Sequence, residues 1–196
     1  MANLDNPKPP RGKAAVTAAL IASATTLYSE KGPTGSSIRD IAKHARVNHG
    51  LVHRHFGSRE ALMIAVMEGL AFQVNAALGP IQKGETLHDL LPLLLQDQGT
   101  IGTHWRILAH SILAGEDPAT LQQDFPVFHR LVAAAKVSLG PEVNGESVAT
   151  YLVSTGLGLM LFNSFFQAAA GQDDPAWKQT RKGVLALVLK GLAKAP

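Results

Sequence analysis

Between Ser37 and Phe56 the chain reads SIRDIAKHARVNHGLVHRHF, a stretch that gathers cations, imidazoles and amides at helical spacing. Arg39 and Arg54, with Arg59 just beyond, carry fixed positive charge. Ser37 and Asn48 offer short polar side chains, and His49, His53 and His55 supply rings that can donate or accept. Such groups on a short helix suit base edges and the phosphates beside them. Gly50 has no side chain, so the backbone there can approach a phosphate, and the free N–H groups at a helix start attract the same anion. His49 and His53 stand four apart, a spacing able to hold a metal. No acid adjoins His49 and no third ligand is near, so no metal is expected. The chain has no cysteine, which excludes thiolate nucleophiles, disulfides and Cys-ligated metal centres. H-E-x-x-H, G-x-S-x-G and glycine-rich phosphate loops are absent as well, so neither an enzyme nor a cofactor is expected.

Residues of this kind act only if elements hold them in place. Ala42 is the small residue that two crossing helices need, Val47 an apolar anchor in the turn, and Val52 and Phe56 inward residues of the second helix; this is a helix-turn-helix pattern. Ahead of it, 13–31 places Val16, Leu20, Ala24 and Leu27 on one face, and Gly32-Pro33 stops the helix. Ser37 and Asp40 form a capping box that opens the next helix, with Ile38, Ile41, Ala42 and Ala45 inside. Asn48 is expected to cap the third helix, and Ser58 a fourth that ends near Gly79-Pro80.

The remainder also reads as helix: 86–96, bent at Pro92, then 100–114, a start after Asp117, a segment interrupted by Pro126, a loop at 139–145, and two last helices at 146–170 and 176–193. No strand pattern survives, so the fold class is all-α, with an amino-terminal three-helix DNA-binding head and a helical-bundle ligand-binding and dimerisation domain, about nine helices in all. With 196 residues, 46% apolar and 17% charged, the chain can bury a core without staples. The expected organisation is a flexible basic arm over 1–12, a helix-turn-helix domain over 13–60 and a regulatory and dimerisation domain over 61–196. Charge divides similarly: residues 1–60 hold nine Lys/Arg against four acids, a net of +5, whereas 61–196 carry a net of −2. The first dozen residues lack the apolar core of a signal peptide, which points to the cytoplasm.

Residues 147–172 carry no charge, so a membrane span has to be weighed. Thr150, Ser154, Thr155, Asn163, Ser164 and Gln167 interrupt it, and no Lys/Arg cluster marks a cytoplasmic side. A homodimer that buries 146–170 together with the apolar last helix, 176–193, fits better. His104, Trp105, His110, Phe125, Phe128, His129, Met160 and Asn163 combine aromatic surface with a few polar groups, as the lining of a small-molecule pocket does; core packing is the alternative use of the same residues.

AAVTAALIASATTLYSEKG followed by SSIRDIAKHARVNHGLVHRHFGSREALMIAV resembles the amino-terminal domain of the TetR family of transcriptional regulators, over about residues 13–66. The likeness lies in the helix ending before Gly32, the S-I-R-D-I-A helix start and the H-F-x-S-(K/R)-E-A-L junction. Three positions depart from the family pattern. Arg46 stands where a turn glycine is usual, Leu51 where a hydroxyl residue is frequent, and His53 where a tyrosine is common. The resemblance implies a homodimeric regulator, a repressor of transcription, whose two recognition helices enter successive major grooves of a near-palindromic double-stranded operator. His49, Leu51 and His53 are then candidates for base contact, with Arg39, Arg59, Asn48 and His55 nearer the phosphates. It also implies a small-molecule effector in the carboxy-terminal part that shifts the spacing of the heads, with the fourth helix as connecting rod. Two rivals remain open on sequence: a helical small-molecule enzyme or carrier with an incidental basic head, and a membrane-attached regulator.

Overall fold

The computed structural model describes residues 9–94 and 99–192. The arm expected over 1–12 lies outside the described residues for 1–8, and so do the ends of the helices expected at 86–96 and 176–193. Among the described residues there are eleven helical segments and no strand: α1 (Lys13–Lys31), α2 (Ile38–His44), α3 (Gly50–Phe56), α4 (Arg59–Ala77), α5 (Leu87–Leu94), α6 (Gly99–Leu113), α7 (Pro118–Leu121), α8 (Pro126–Leu139), α9 (Gly145–Leu161), α10 (Asn163–Ala169) and α11 (Asp174–Leu192).

The chain forms two compact units. One comprises residues 1–70 and 103–124, the other 71–102 and 125–196. The division therefore differs from the boundary expected at residue 60, and the reason lies in the core. The apolar stripe of α1 (Val16, Leu20, Ala24, Leu27) meets Ile41 and Ala42 of α2, Val52 of α3 and Leu62, Val66 and Met67 of α4, and the same cluster takes in Ile107 of α6 and Leu121 of α7. Three short helices alone leave one side of this cluster open to water, and the α6–α7 segment covers it.

Local stops in the first unit follow from side-chain chemistry. Gly32 ends α1 with φ 72°, a conformation that strains any other residue, and a Cβ there would stand 3.3 Å from the ring of exposed His110 on α6, which would have to yield slightly. Buried Ser36 ties the following turn, its hydroxyl donating to Leu27 O (3.2 Å) and Gly32 O (3.1 Å). The Ser37–Asp40 capping box forms in both directions: Asp40 N–H donates to Ser37 Oγ at 3.1 Å, and Ser37 N–H to Asp40 Oδ2 at 3.0 Å. The Ser37 hydroxyl, donating to Asp40 Oδ2 at 2.6 Å, and then the Ser37 N–H hold the Asp40 carboxyl below its ordinary pKa. Ser58 caps α4 through Ala61 N–H.

In the second unit α8 packs on α9 and α5, with Leu131, Ala134, Ala135, Val148, Ala149, Leu87 and Leu90 buried. Pro126 opens α8 rather than interrupting a helix, since its missing N–H is an orphan at that position anyway. The long helix expected over 146–170 is two helices. α9 and α10 meet at Phe162 with a bend of 69°. Asn163, just past the break, accepts a hydrogen bond from the indole Nε1–H of Trp177 at 2.8 Å, which holds the start of α10 against α11. The uncharged stretch weighed as a span is therefore bent in its middle. Among the described residues one straight helix, α4, is long and apolar enough to cross a membrane, and its Leu62, Met63, Val66, Met67 and Leu70 belong to the core of the first unit. With this break and the four-residue α7, the helix count rises above the expected nine.

Candidate nucleic-acid interface

α3 is a seven-residue helix held against α1 and α2 by fully buried Val52. At about 100° per residue, Gly50 and Arg54 lie roughly opposite Val52, His53 and Leu51 about 100° to either side of it, and His55 and Phe56 nearest it, His55 on the flank of Leu51. Burial follows this wheel. Gly50, His53 and Arg54 are exposed, as are Asn48 and His49 just before the helix and Arg39 in the first turn of α2. These six exposed residues include two arginines and no acid. Lys43 and Arg46 are exposed on the adjoining segment.

The start of α3 differs by one residue from the expected cap. His49 is the residue ahead of the helix, in helical conformation and without a capping bond of its own. Asn48 still caps from one position earlier, its Oδ1 accepting Gly50 N–H at 2.8 Å. At the other end His53 Nδ1–H donates to Gly57 O at 3.2 Å, which fixes the ring and leaves Nε2 as its outward atom.

Three expected contact residues are engaged within the fold. Leu51 is half-buried and packs on the head's core. Nδ1 of His55 shares a hydrogen bond with Thr17 Oγ1 of α1 at 2.9 Å. Arg59 is half-buried and donates to Pro33 O, and it stands beside Tyr28, whose phenol burial pushes above its ordinary pKa with the guanidinium opposing. His55 lies near the line of Val52 with Leu51 on the same flank, and Arg59 stands at the start of α4. Ser37, another expected contact, is exposed and occupied as the α2 cap.

Sequence reasoning missed the polar pins of this head. Besides Thr17–His55, Ser23 on α1 is 5% exposed and shares a 2.9 Å hydrogen bond with Nδ1 of His44 at the end of α2. A serine beside Ala24 on a buried stripe is the available signal, since a buried hydroxyl needs a partner. Arg46, already notable in the sequence for standing where a turn glycine is usual, has φ 57° and is the one non-glycine residue at positive φ among the described residues. That conformation costs a side-chain-bearing residue about 1 kcal/mol or more, the penalty the glycine usual at this turn avoids.

The aromatic and imidazole residues read as a pocket are not gathered in either unit. In the first, His104 is 6% exposed and its Nε2–H donates to Gln122 Oε1 at 3.1 Å, Trp105 lies at 5.5 Å from it between ring centres, and exposed His110 covers Gly32. Burial pushes the His104 pKa down, the Gln122 bond opposing. Phe125, Phe128, His129, Met160 and Asn163 belong to the second unit, where Phe128 and His129 make an edge contact at 6.5 Å and Asn163 is committed to Trp177. An open groove of about 410 Å³ in that unit runs between Tyr151 of α9 and Val184, Leu187, Val188 and Gly191 of α11.

Known proteins share this architecture. Residues 20–66 match the family described as "Bacterial regulatory proteins, tetR family". Over 180 residues, 92% of this chain and 90% of the relative, the chain is 32% identical to the HTH-type transcriptional repressor Rv3405c of Mycobacterium tuberculosis, and to the same extent to the HTH-type transcriptional regulator Mb3439c of Mycobacterium bovis. A transcriptional regulator from Rhodococcus sp. Rha1 superposes with a TM-score of 0.66 at 23% identity, covering 92% of this chain and 99% of that one. Salmonella enterica GusR does so at 0.64 and 17%, covering 92% and 96%. At those identities the solved structures speak for the fold alone.

Proposed function

The chain belongs to the TetR family of bacterial regulatory proteins and is a DNA-binding transcriptional regulator, and from that premise we propose that it is a cytoplasmic, non-enzymatic repressor, acting as a homodimer on a near-palindromic operator and released by a small molecule bound in its carboxy-terminal half. The observation that carries the DNA side is the exposed face of α3 and its approaches: Arg39, Asn48, His49, Gly50, His53 and Arg54, without an acid among them, on a head whose core is closed by Ile107 and Leu121. His49 and His53 read base edges in the major groove, while Arg39 and Arg54 fix register on phosphates. The name of the mycobacterial relative, a repressor, favours repression over activation.

Dimerisation is supported by the second unit. Tyr151, Phe162, Phe165 and Leu187 are 52%, 55%, 65% and 70% exposed on α9, α10 and α11. So much apolar surface on neighbouring helices is costly in water and suits a two-fold partner. Two heads related by that axis would sit about 34–36 Å apart to enter successive major grooves. The effector acts by favouring a head spacing that does not fit.

Selection of genomic fragments by the purified protein at fixed salt tests this, with His53→Ala and Arg39→Ala alongside. Recovery of a palindromic site, weakened by both substitutions, is the expected result. Weak binding that ignores sequence and vanishes by moderate salt overturns the operator reading and leaves the basic head an electrostatic patch.

A further inference from the structure

We infer that His53 is a specificity-determining residue of the reading helix: its ring is held as an acceptor at Nε2, so that it selects a base with a major-groove amino group, adenine or cytosine, over guanine or thymine at the position it faces. The inference rests on the operator-binding reading above and names what one side chain of that reading recognises.

The tautomer follows from the partner. An uncharged imidazole carries one N–H and one bare nitrogen, and the nitrogen that gives its proton to a neighbour leaves the other as acceptor. Nδ1 of His44 meets the Ser23 hydroxyl and Nδ1 of His55 the Thr17 hydroxyl, each at 2.9 Å. A hydroxyl can take either part, so those two bonds leave the tautomer open. Nδ1 of His53 meets a carbonyl, Gly57 O, at 3.2 Å. A carbonyl has no proton to give, so the ring proton sits on Nδ1 and Nε2 keeps its lone pair. The backbone ties the same two residues together. Gly57 closes α3 with its N–H on His53 O at 2.9 Å, and its φ of 80° is a conformation that favours glycine.

Chemistry then limits what Nε2 can meet. Phosphate oxygens only accept, so a bare nitrogen gains nothing from them, whereas exposed Arg54 beside it donates to them freely. In the major groove guanine presents O6 and N7 and thymine presents O4 and a methyl, all without a donor. Adenine presents its N6 amino group and cytosine its N4 amino group. Each base pair thus carries one amino group, on one strand or the other, and an acceptor held at a fixed place reads which strand has it. The tyrosine common at this position in the family carries a hydroxyl that donates or accepts and imposes no such choice.

Two measurements at pH 8.5, well above the ordinary histidine pKa of about 6.5, test this. In the free protein labelled with nitrogen-15, the His53 ring signals are those that vanish in His53→Ala. Nδ1 is expected to show the shift of a protonated, pyrrole-type nitrogen and Nε2 that of a bare, pyridine-type one; a proton on Nε2 overturns the proposal. Binding is then measured on the selected fragment with all four base pairs placed in turn at each position of one half-site. At one position adenine and cytosine on the same strand are expected to bind at least about fivefold more tightly than guanine and thymine. His53→Ala is expected to level the four at that position and to keep the preferences at the others, which shows that the head is still folded and docked. If the substitution levels no position, or levels one that favours guanine and thymine, the proposal fails. It also fails if the substitution only weakens binding to every sequence alike and lowers the log–log salt slope by about 0.9 per head, the mark of a phosphate contact. An unaltered chain that binds a scrambled duplex as well as the selected fragment overturns the operator reading and the base contact with it, while the nitrogen spectrum still decides whether Nε2 is an acceptor.

Discussion

A buried imidazole is the residue with the most definite acid–base consequence. His104 is held neutral because burial disfavours its charged form, and its folded pKa lies below the ordinary histidine value. Protons then bind the unfolded chain more readily than the folded one in the interval between the two values. The stabilisation tied to His104 is complete above about pH 6.5 and is lost as pH falls from there through the lowered value. Chemical denaturation followed from pH 7.5 to 5 is expected to show stability declining with acidification, by at most about 1.4 kcal/mol per pH unit for this proton. His104→Gln is expected to flatten that part of the profile; an unchanged slope in the variant assigns it to other groups. At this scale the sequence was informative about type and poor about partners. Arg46 could be flagged, because a glycine-like turn with an arginine in it raises the question of left-handed backbone, and its φ of 57° answers it. The inward turn of Arg59 could not, because its acceptor, Pro33 O, is 26 residues away.

Helix ends show how an element far along the chain finishes one that precedes it. α4 stops at Ala77, and the turn after it exposes the carbonyls of Leu78, Gly79 and Pro80, which need donors. Arg130 of α8, 4% exposed, donates to Gly79 O at 2.8 Å, Leu78 O at 3.3 Å and Pro80 O at 3.4 Å, while its Nε–H bonds Glu85 Oε2 at 2.6 Å and a second guanidinium nitrogen meets the other carboxylate oxygen. One guanidinium thus caps the turn after α4 and neutralises a carboxylate that has lost most of its water. Arg130→Ala would strand that charge and the carbonyls, so a loss of about 3–5 kcal/mol in unfolding free energy is expected. Glu85→Gln, which keeps an acceptor, is expected to cost less; equal melting of Arg130→Ala and the unaltered chain would contradict this role. Elements with local stop signals, such as Gly32 and the Ser37–Asp40 box, were readable along the chain. The break at Phe162 was hidden because apolar residues continue through it, and its fixed point is an indole from α11 rather than a proline or glycine at the bend.

For the molecule as a whole, the core around the helix-turn-helix expected over 13–60 takes in Ile107 and Leu121 from beyond residue 100, within one compact unit. Hydrophobic spacing tells which face of a helix is buried, but it carries no address for the partner face. The same limit applies between copies of the chain. The apolar character of the last helices was legible, and exposure now separates Phe165 and Leu187, on the surface, from Trp177, which is 6% exposed within its own unit. A charge placed at a position that is 70% exposed in one protomer should leave that protomer's fold intact and disrupt only an interface. Leu187→Glu and Phe165→Glu, together, are therefore expected to shift the sedimentation of the protein to that of a single chain while preserving its helical circular dichroism. Affinity for the two-half-site operator should then fall to the level of a single half-site, since the second head no longer benefits from being tethered to the first. A double variant that sediments as a dimer and binds the operator unchanged would mean that the two-fold contact uses other surfaces, and that the groove between α9 and α11 is open for a different occupant.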